Sequence, residues 1–416
     1  MHETDMHENN IEKRRIPLWQ DLLFWGTIIS LLVRECDYKY DYYVLIGLAV
    51  VFMVCSILDG RKLYIADFLR KYWYIAAVMA LCLAYQALRI GLTGRMFART
   101  CGIYLLVYAG FLYGKRFTGC LEESSIRLSV FLGITGAVGL VWWMLRICPL
   151  GFVSELAVRY FYSAPERMVS VFSHPILAAC YMLLLVSLTL FFWPARRYGQ
   201  LRMVLLLIGM AGLLATVTRS AYLVLAFIIF LWVLSFREKI RGIQAGKIIA
   251  VALIAVLAVC VVLFYTGALS YAFERFFGTD WRQDRSYTLR IDSISIIMGS
   301  IPARGIGRFL FGAGIGKGKN VLDIEWFQDK YGKKLIDNTY LSALADQGIF
   351  AAGILFAEAV YVLGCCFRER CRTEHGRICH ILLPQLIMIA VFDVQGWCSL
   401  LFVVCVLAGT EMAARK

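Results

Sequence analysis

Apolar runs of about 16–25 residues recur along the chain, each close to the ~20 that carry a helix across ~30 Å of hydrocarbon. Lipid offers no hydrogen-bond partner, so such runs must satisfy their own backbone groups as helices. The composition agrees: 60% of the 416 residues are hydrophobic, 17% are charged, and the mean hydropathy is +0.69. The expected fold is all-α, a polytopic membrane bundle forming a single integral membrane domain over 1–416. About twelve transmembrane helices are read, over 18–33, 42–58, 73–91, 100–114, 126–147, 172–193, 202–218, 220–236, 247–266, 339–364, 378–394 and 397–412. The fourth and twelfth are short, which leaves a count of ten or eleven open.

Charge orients the bundle. Residues 1–17 are polar, lack a small-residue cleavage site and read as a cytoplasmic tail rather than a signal peptide. Alternate linkers are basic: Lys13/Arg14/Arg15, Arg61/Lys62, Lys115/Arg116, Arg196/Arg197, Arg237/Lys239/Arg241 and Arg368/Arg370/Arg372. This pattern follows the positive-inside rule and places both termini in the cytoplasm and the protein in the cell (inner) membrane. Most of the +14 net charge is therefore topology, and no nucleic-acid partner is expected. The 14 cysteines are scattered, mostly in apolar runs, with no CxxC and no Cys/His cluster at metal spacing. They read as small polarizable core residues.

One interruption breaks the pattern. Residues 267–338 contain no spanning segment and form one large extracytoplasmic loop, followed by the C-terminal helices of 339–416. The loop holds eleven Lys/Arg against eight Asp/Glu, and no acid lies among Arg304, Arg308, Lys317 and Lys319. Long loops cross regardless of charge, so insertion does not explain this basicity. Within it, Ile291, Ile294, Met298 and Ile301 fall on one face of an amphipathic helix suited to the membrane surface, with Arg285 and Arg290 near its start.

The loop also carries "FGAGIGKGKN" (311–320), which superficially suggests a nucleotide-binding loop. A phosphate loop of the G-x-x-x-x-G-K-[ST] type fits in neither register. Phe311 or Ala313 stands at the first glycine, and Gly318 or Asn320 replaces the hydroxyl. What remains is a flexible basic turn that lets backbone and lysines approach an anion, or else a plain surface turn.

Three other features join it. Arg219 occupies a short turn between two apolar helices, as a snorkelling anchor or as an anion contact. Asp337-Asn338 opens a helix, as a cap or as reactive groups. His174 precedes Pro175 at a helix mouth, where a structural role is the plain reading.

Taken together, "TRSAYL" (218–223), "LRIDSISII" (289–297), "LFGAGIGKG" (310–318), "DNTYLSALADQGIFAAGI" (337–354) and, more weakly, "FSHPILAA" (172–179) resemble the O-antigen polymerase/ligase superfamily of membrane glycosyltransferases. The resemblance implies transfer of an oligosaccharide from undecaprenyl pyrophosphate to a sugar hydroxyl at the outer face. Arg219 and Arg290 fall on arginines that engage the lipid pyrophosphate. Family ligases commonly carry His-Asn where this chain has Asp337-Asn338, a departure that suits the polymerase branch. Besides the lipid-linked oligosaccharide, implied partners are membrane lipids and, as candidates, a flippase and a chain-length regulator of the same pathway.

The residue chemistry is compatible with that implication. Fixed arginines neutralise a departing pyrophosphate without metal, and the outer loops offer no dense carboxylate cluster for magnesium, so no metal or cofactor is expected. Asp337 is the expected base for the attacking hydroxyl, ranked below the two arginines. Arg285, Arg304, Arg308, Lys317, Lys319, Asn338, Tyr340 and His174 are the expected contacts to pyrophosphate or glycan. Two readings stand beside polymerisation: a ligase acting on a lipid, wall or protein acceptor, and a transporter of lipid-linked sugars using Glu358, Asp393 or Arg146.

Overall fold

The computed structural model describes residues 72–91, 93–118, 121–147, 167–169, 172, 174–192, 199–236, 284–300, 303, 305–332 and 336–415, with isolated positions 26, 28 and 47. The expected helices 18–33, 42–58 and 247–266 lie outside these residues, as do Arg304 and the start of the 267–338 loop. Among the described residues all regular structure is helical.

The elements are α1 (Trp73–Tyr85, extended by a π turn over Gln86–Ile90), α2 (Gly94–Phe117), α3 (Leu121–Ile147), α4 (Pro175–Phe191), α5 (Gly199–Ala215) and α6 (Arg219–Phe236). Past the undescribed stretch come α7 (Arg285–Ser300), α8 (Ile306–Phe311), a 3-10 turn (Gly318–Leu322) and α9 (Glu325–Tyr331). The chain closes with α10 (Thr339–Glu369), α11 (Glu374–Met388), a 3-10 turn (Val394–Gly396) and α12 (Cys398–Ala414).

Among the described residues, four segments are long and apolar enough to cross a membrane: Trp73–Ile90, Met96–Gly114, Leu121–Leu145 and Thr339–Glu369. Shorter apolar helices cover Pro175–Phe191, Gly199–Ala215, Arg219–Ser235 and Cys398–Ala414. The run expected to be the short helix 100–114 is longer, because Gly94–Phe117 forms one helix. The run expected over 378–394 instead ends at Met388, since the following carbonyls turn aside to bind the start of α10.

Packing between helices positions the site. α4 is buried almost throughout, from Pro175 to Phe191, between α3, α5, α6 and α11. α2 and α12 meet backbone to backbone: a Cβ on Gly114 would lie 2.1 Å from the Val406 carbonyl, and one on Gly409 would lie 2.4 Å from that of Phe111. Gly110 and Gly114 are the small pair of a G-x-x-x-G face, the usual route to close helix contact in lipid. Outward stripes such as Phe356, Val360 and Phe367 on α10 remain exposed, as lipid-facing side chains must.

Candidate active site

At the Thr339 end of α10, three groups of residues gather. In the first, Arg219 opens α6 and donates to the Asp284 carboxylate at 2.5 Å. Asp284 caps α7, accepting from the Ser286 and Tyr287 amides at 2.9 and 3.0 Å. Burial opposes its charge, but the Arg219 hydrogen bond and these two amides outweigh it, holding the carboxyl below its usual range. The turn before Arg219 is strained: Val217, a buried β-branched residue, has φ of 46°. Arg167 restrains it by donating to the Thr216 carbonyl (2.9 Å) and the Thr218 hydroxyl (3.0 Å).

The second group lies six residues along α7, about 9 Å by helical rise. There the Arg290 guanidinium stands 3.9 Å from the Asp337 carboxylate and donates to the Val391 carbonyl at 3.2 Å. Asn338 caps α10 through the Leu341 amide at 3.0 Å. Thr339 ties this start to the α11–α12 connection, donating its hydroxyl to the Phe392 carbonyl and accepting from the Val394 amide. His174 caps α4 through Ile176 and stacks on Phe392, with ring centres 5.6 Å apart and Trp397 alongside. Burial, reinforced by the nearby Asp337 charge, pushes the Asp393 carboxyl up to about 6 against the Gln395 amide.

The third group is built on the glycine-rich stretch. α10 is kinked at Gly348 (φ 84°), which releases the Ala345 and Asp346 carbonyls from the helical ladder. The amides of Ala313 and Gly314 take them, at 3.1 and 2.8 Å. The Asp346 carboxylate then accepts from the Gly316 amide (2.7 Å) and the Gly318 amide (2.5 Å). A Cβ on Gly312 or Gly348 would lie 2.2 Å from backbone of the opposing segment, so both crossings require glycine. The group cradled by this stretch is thus the chain's own Asp346 side chain. Arg99 of α2 lies over Gly316, where a Cβ would come within 3.0 Å of its guanidinium.

Of the residues expected from sequence, Arg290, Asp337, Asn338 and His174 come together around the 389–397 connection. Arg219 joins them through Asp284 and α7. Arg285 instead donates to the Tyr331 carbonyl at 2.8 Å, pinning α9 to α7. Tyr340 donates to the Leu386 carbonyl at 2.9 Å, holding α10 to α11. Lys317 is half-buried, and Arg308 and Lys319 are exposed. On α7, Leu289, Ser293 and Ile297 are buried against the loop's own small core, while Ile291, Ile294 and Met298 stay 38–51% exposed, the face read as apolar from sequence.

Sequence reading missed Asp284, Asp346, Arg99 and Arg167. For Asp284 the signal was the helix-cap position before a Ser-Tyr-Thr run, and for Asp346 an acid inside an apolar helix two residues before a glycine.

No curated protein matches the chain. Residues 203–356 match the O-antigen ligase family model, and Arg219, Asp284, Arg290, Asp337 and Asp346 all lie within that segment. Members of this family are membrane glycosyltransferase-like enzymes acting on lipid-linked oligosaccharides. The match over 203–356 and the apolar helices together mark a membrane protein that is similar, over that segment, to the O-antigen ligase family.

Proposed function

We propose that the protein is a polymerase of a cell-surface polysaccharide. In this reading it transfers a growing glycan from undecaprenyl pyrophosphate to a sugar hydroxyl of the next lipid-linked repeat unit, at the outer face of the membrane. The observation that carries the reading is the pairing of Arg290 with Asp337 at 3.9 Å, which sets a guanidinium beside a carboxylate at the start of α10. A bound pyrophosphate competes for Arg290, and Asp337 is then left to accept a proton.

The acceptor oxygen attacks the anomeric carbon as the bond from that carbon to the pyrophosphate oxygen breaks, inverting the centre. The hydroxyl proton passes to Asp337, and the charge growing on the leaving group is met by Arg219 and Arg290. Neither step requires a metal. α7 carries Arg290 and, through its Asp284 cap, tethers Arg219. Its exposed Ile291, Ile294 and Met298 face suits the lipid surface from which the carrier arrives.

Proteoliposomes given a short undecaprenyl-pyrophosphate-linked repeat unit provide the test. A product ladder lengthening by whole repeats, lost in Arg219→Ala and Arg290→Ala, is expected. Full activity in both variants would rule out this site. A second reading, single transfer to a lipid, wall or protein acceptor, draws on the ligase description of the matching family model. It predicts one product rather than a ladder.

A further inference from the structure

At the opposite end of α10 lies a cluster that the reaction does not use. Cys365 of α10 and His375 and Cys379 of α11 bring their ligand atoms within 4.8 Å of one another, and all three residues are buried. The geometry points to a binding site for a zinc-class cation, held by Cys365, Cys379 and His375 Nε2 with Glu411 of α12 as fourth ligand. Spacings of ten and four residues across an interhelical turn match no compact ligand motif, so the sequence reading found no metal cluster.

Four observations support the site. The sulfur of Cys379 lies 3.7 Å from His375 Nε2. That matches the ~3.6 Å edge between Zn–S and Zn–N bonds of about 2.3 and 2.0 Å at a tetrahedral angle. His375 and Cys379 are one turn apart on a single helix face, as paired ligands on a helix are. Glu369 lies 2.9 Å from His375 Nδ1. A carboxylate on that nitrogen fixes the ring and turns Nε2 toward the thiols, the usual outer partner of a metal-bound imidazole. Finally, Glu411 is fully buried, 2.6 Å from Nε2, and oriented by Arg415.

Without metal, His375 bridges Glu369 and Glu411. On binding, two thiol protons and the proton shared between His375 Nε2 and Glu411 leave to solvent, and the 2.6 Å contact opens to about 3.3 Å as both atoms become ligands. The ion would tie the far ends of α10, α11 and α12 together. If the pyrophosphate site faces outward, as proposed, this end faces the cytoplasm, where thiols stay reduced and available to metal.

The test is independent of transferase activity. Full-length protein is purified from zinc-replete cells under reducing, chelator-free conditions, and its metal content is measured by plasma mass spectrometry. About one zinc per chain is expected. It should fall below about a tenth in Cys365→Ser/Cys379→Ser and be unchanged in Cys405→Ser, whose Cβ lies against Gly110 of α2. Should the double variant not fold, cobalt added to zinc-stripped wild-type protein gives the second reading, through a thiolate-to-cobalt charge-transfer band. Wild-type protein with reduced thiols that holds no zinc and gives no cobalt band overturns the site. So does a folded double variant that keeps its metal.

Discussion

Two charge clusters at opposite ends of α10, Arg415 with its carboxylates and Arg290 with Asp337, are built differently. At the far end, Arg415 grips Glu358 at 2.6 and 2.7 Å and Glu411 at 2.7–3.0 Å, and stacks over the Tyr361 ring at 4.1 Å. Glu411 also meets His375 at 2.6 Å. Arg415, Glu358, Glu411 and His375 are locked to one another by short contacts in a largely buried setting. At the Thr339 end, Arg290 and Asp337 stand 3.9 Å apart, with side chains 27% and 18% exposed. The first arrangement holds helices together. The second is a wider pair, the one proposed to meet a ligand, and Glu358, read from sequence as a polar path for transport, belongs to the first.

The largest expected effect comes from breaking the locked end. Arg415→Ala leaves Glu358 and Glu411 buried without their cation and should destabilise the fold by about 3–5 kcal/mol, measured as thermal unfolding in detergent. The same deletion at the loose end should behave differently. Arg290→Ala should lower turnover by about 10²–10³-fold while changing stability by less than about 1 kcal/mol. Equal stability losses in the two variants would erase the distinction.

Removing the internal acceptor should have a smaller effect. Asp346→Ala strands the Gly316 and Gly318 amides and should reduce stability by about 2 kcal/mol, with faster proteolysis between residues 311 and 332. Asp346→Asn, which still accepts from one of the amides, should lose less.

The site's legibility in the sequence was uneven, for a physical reason. Helices such as α3 and α10 were legible because lipid imposes their length and apolarity. Arg290 and Asp337 stood out because each lies near a helix start inside a family-like motif. The Asp346 cradle was not, because its partners lie 28 and 30 residues away and meet only where the Gly348 kink releases two carbonyls. Arg99 was hidden for the same reason, since α2 reaches the glycine turn only through the packed bundle. The early end of α11 depended on Thr339 taking the Ile389 carbonyl, a contact no local pattern announces.

The smallest effect is a pH dependence. Asp393, raised to about 6, binds a proton in the folded state that the unfolded chain releases nearer 4. Its contribution is therefore present below about pH 4 and is lost as pH rises through 6. Asp393→Asn should raise the unfolding free energy at pH 7.5 by an amount on the order of 1 kcal/mol, seen as a higher unfolding temperature, and have little effect at pH 4.5. Asp284 has the opposite sign: its pairing with Arg219 is present at neutral pH and persists until the pH falls below the usual carboxylate range.

The central claim, that the loosely paired end receives the lipid pyrophosphate, is tested most directly by native mass spectrometry of undecaprenyl pyrophosphate binding to wild-type, Arg290→Ala and Cys405→Ser protein. The expected result is tight binding to wild-type and Cys405→Ser, and at least about tenfold weaker binding to Arg290→Ala. Equal binding to all three would contradict it.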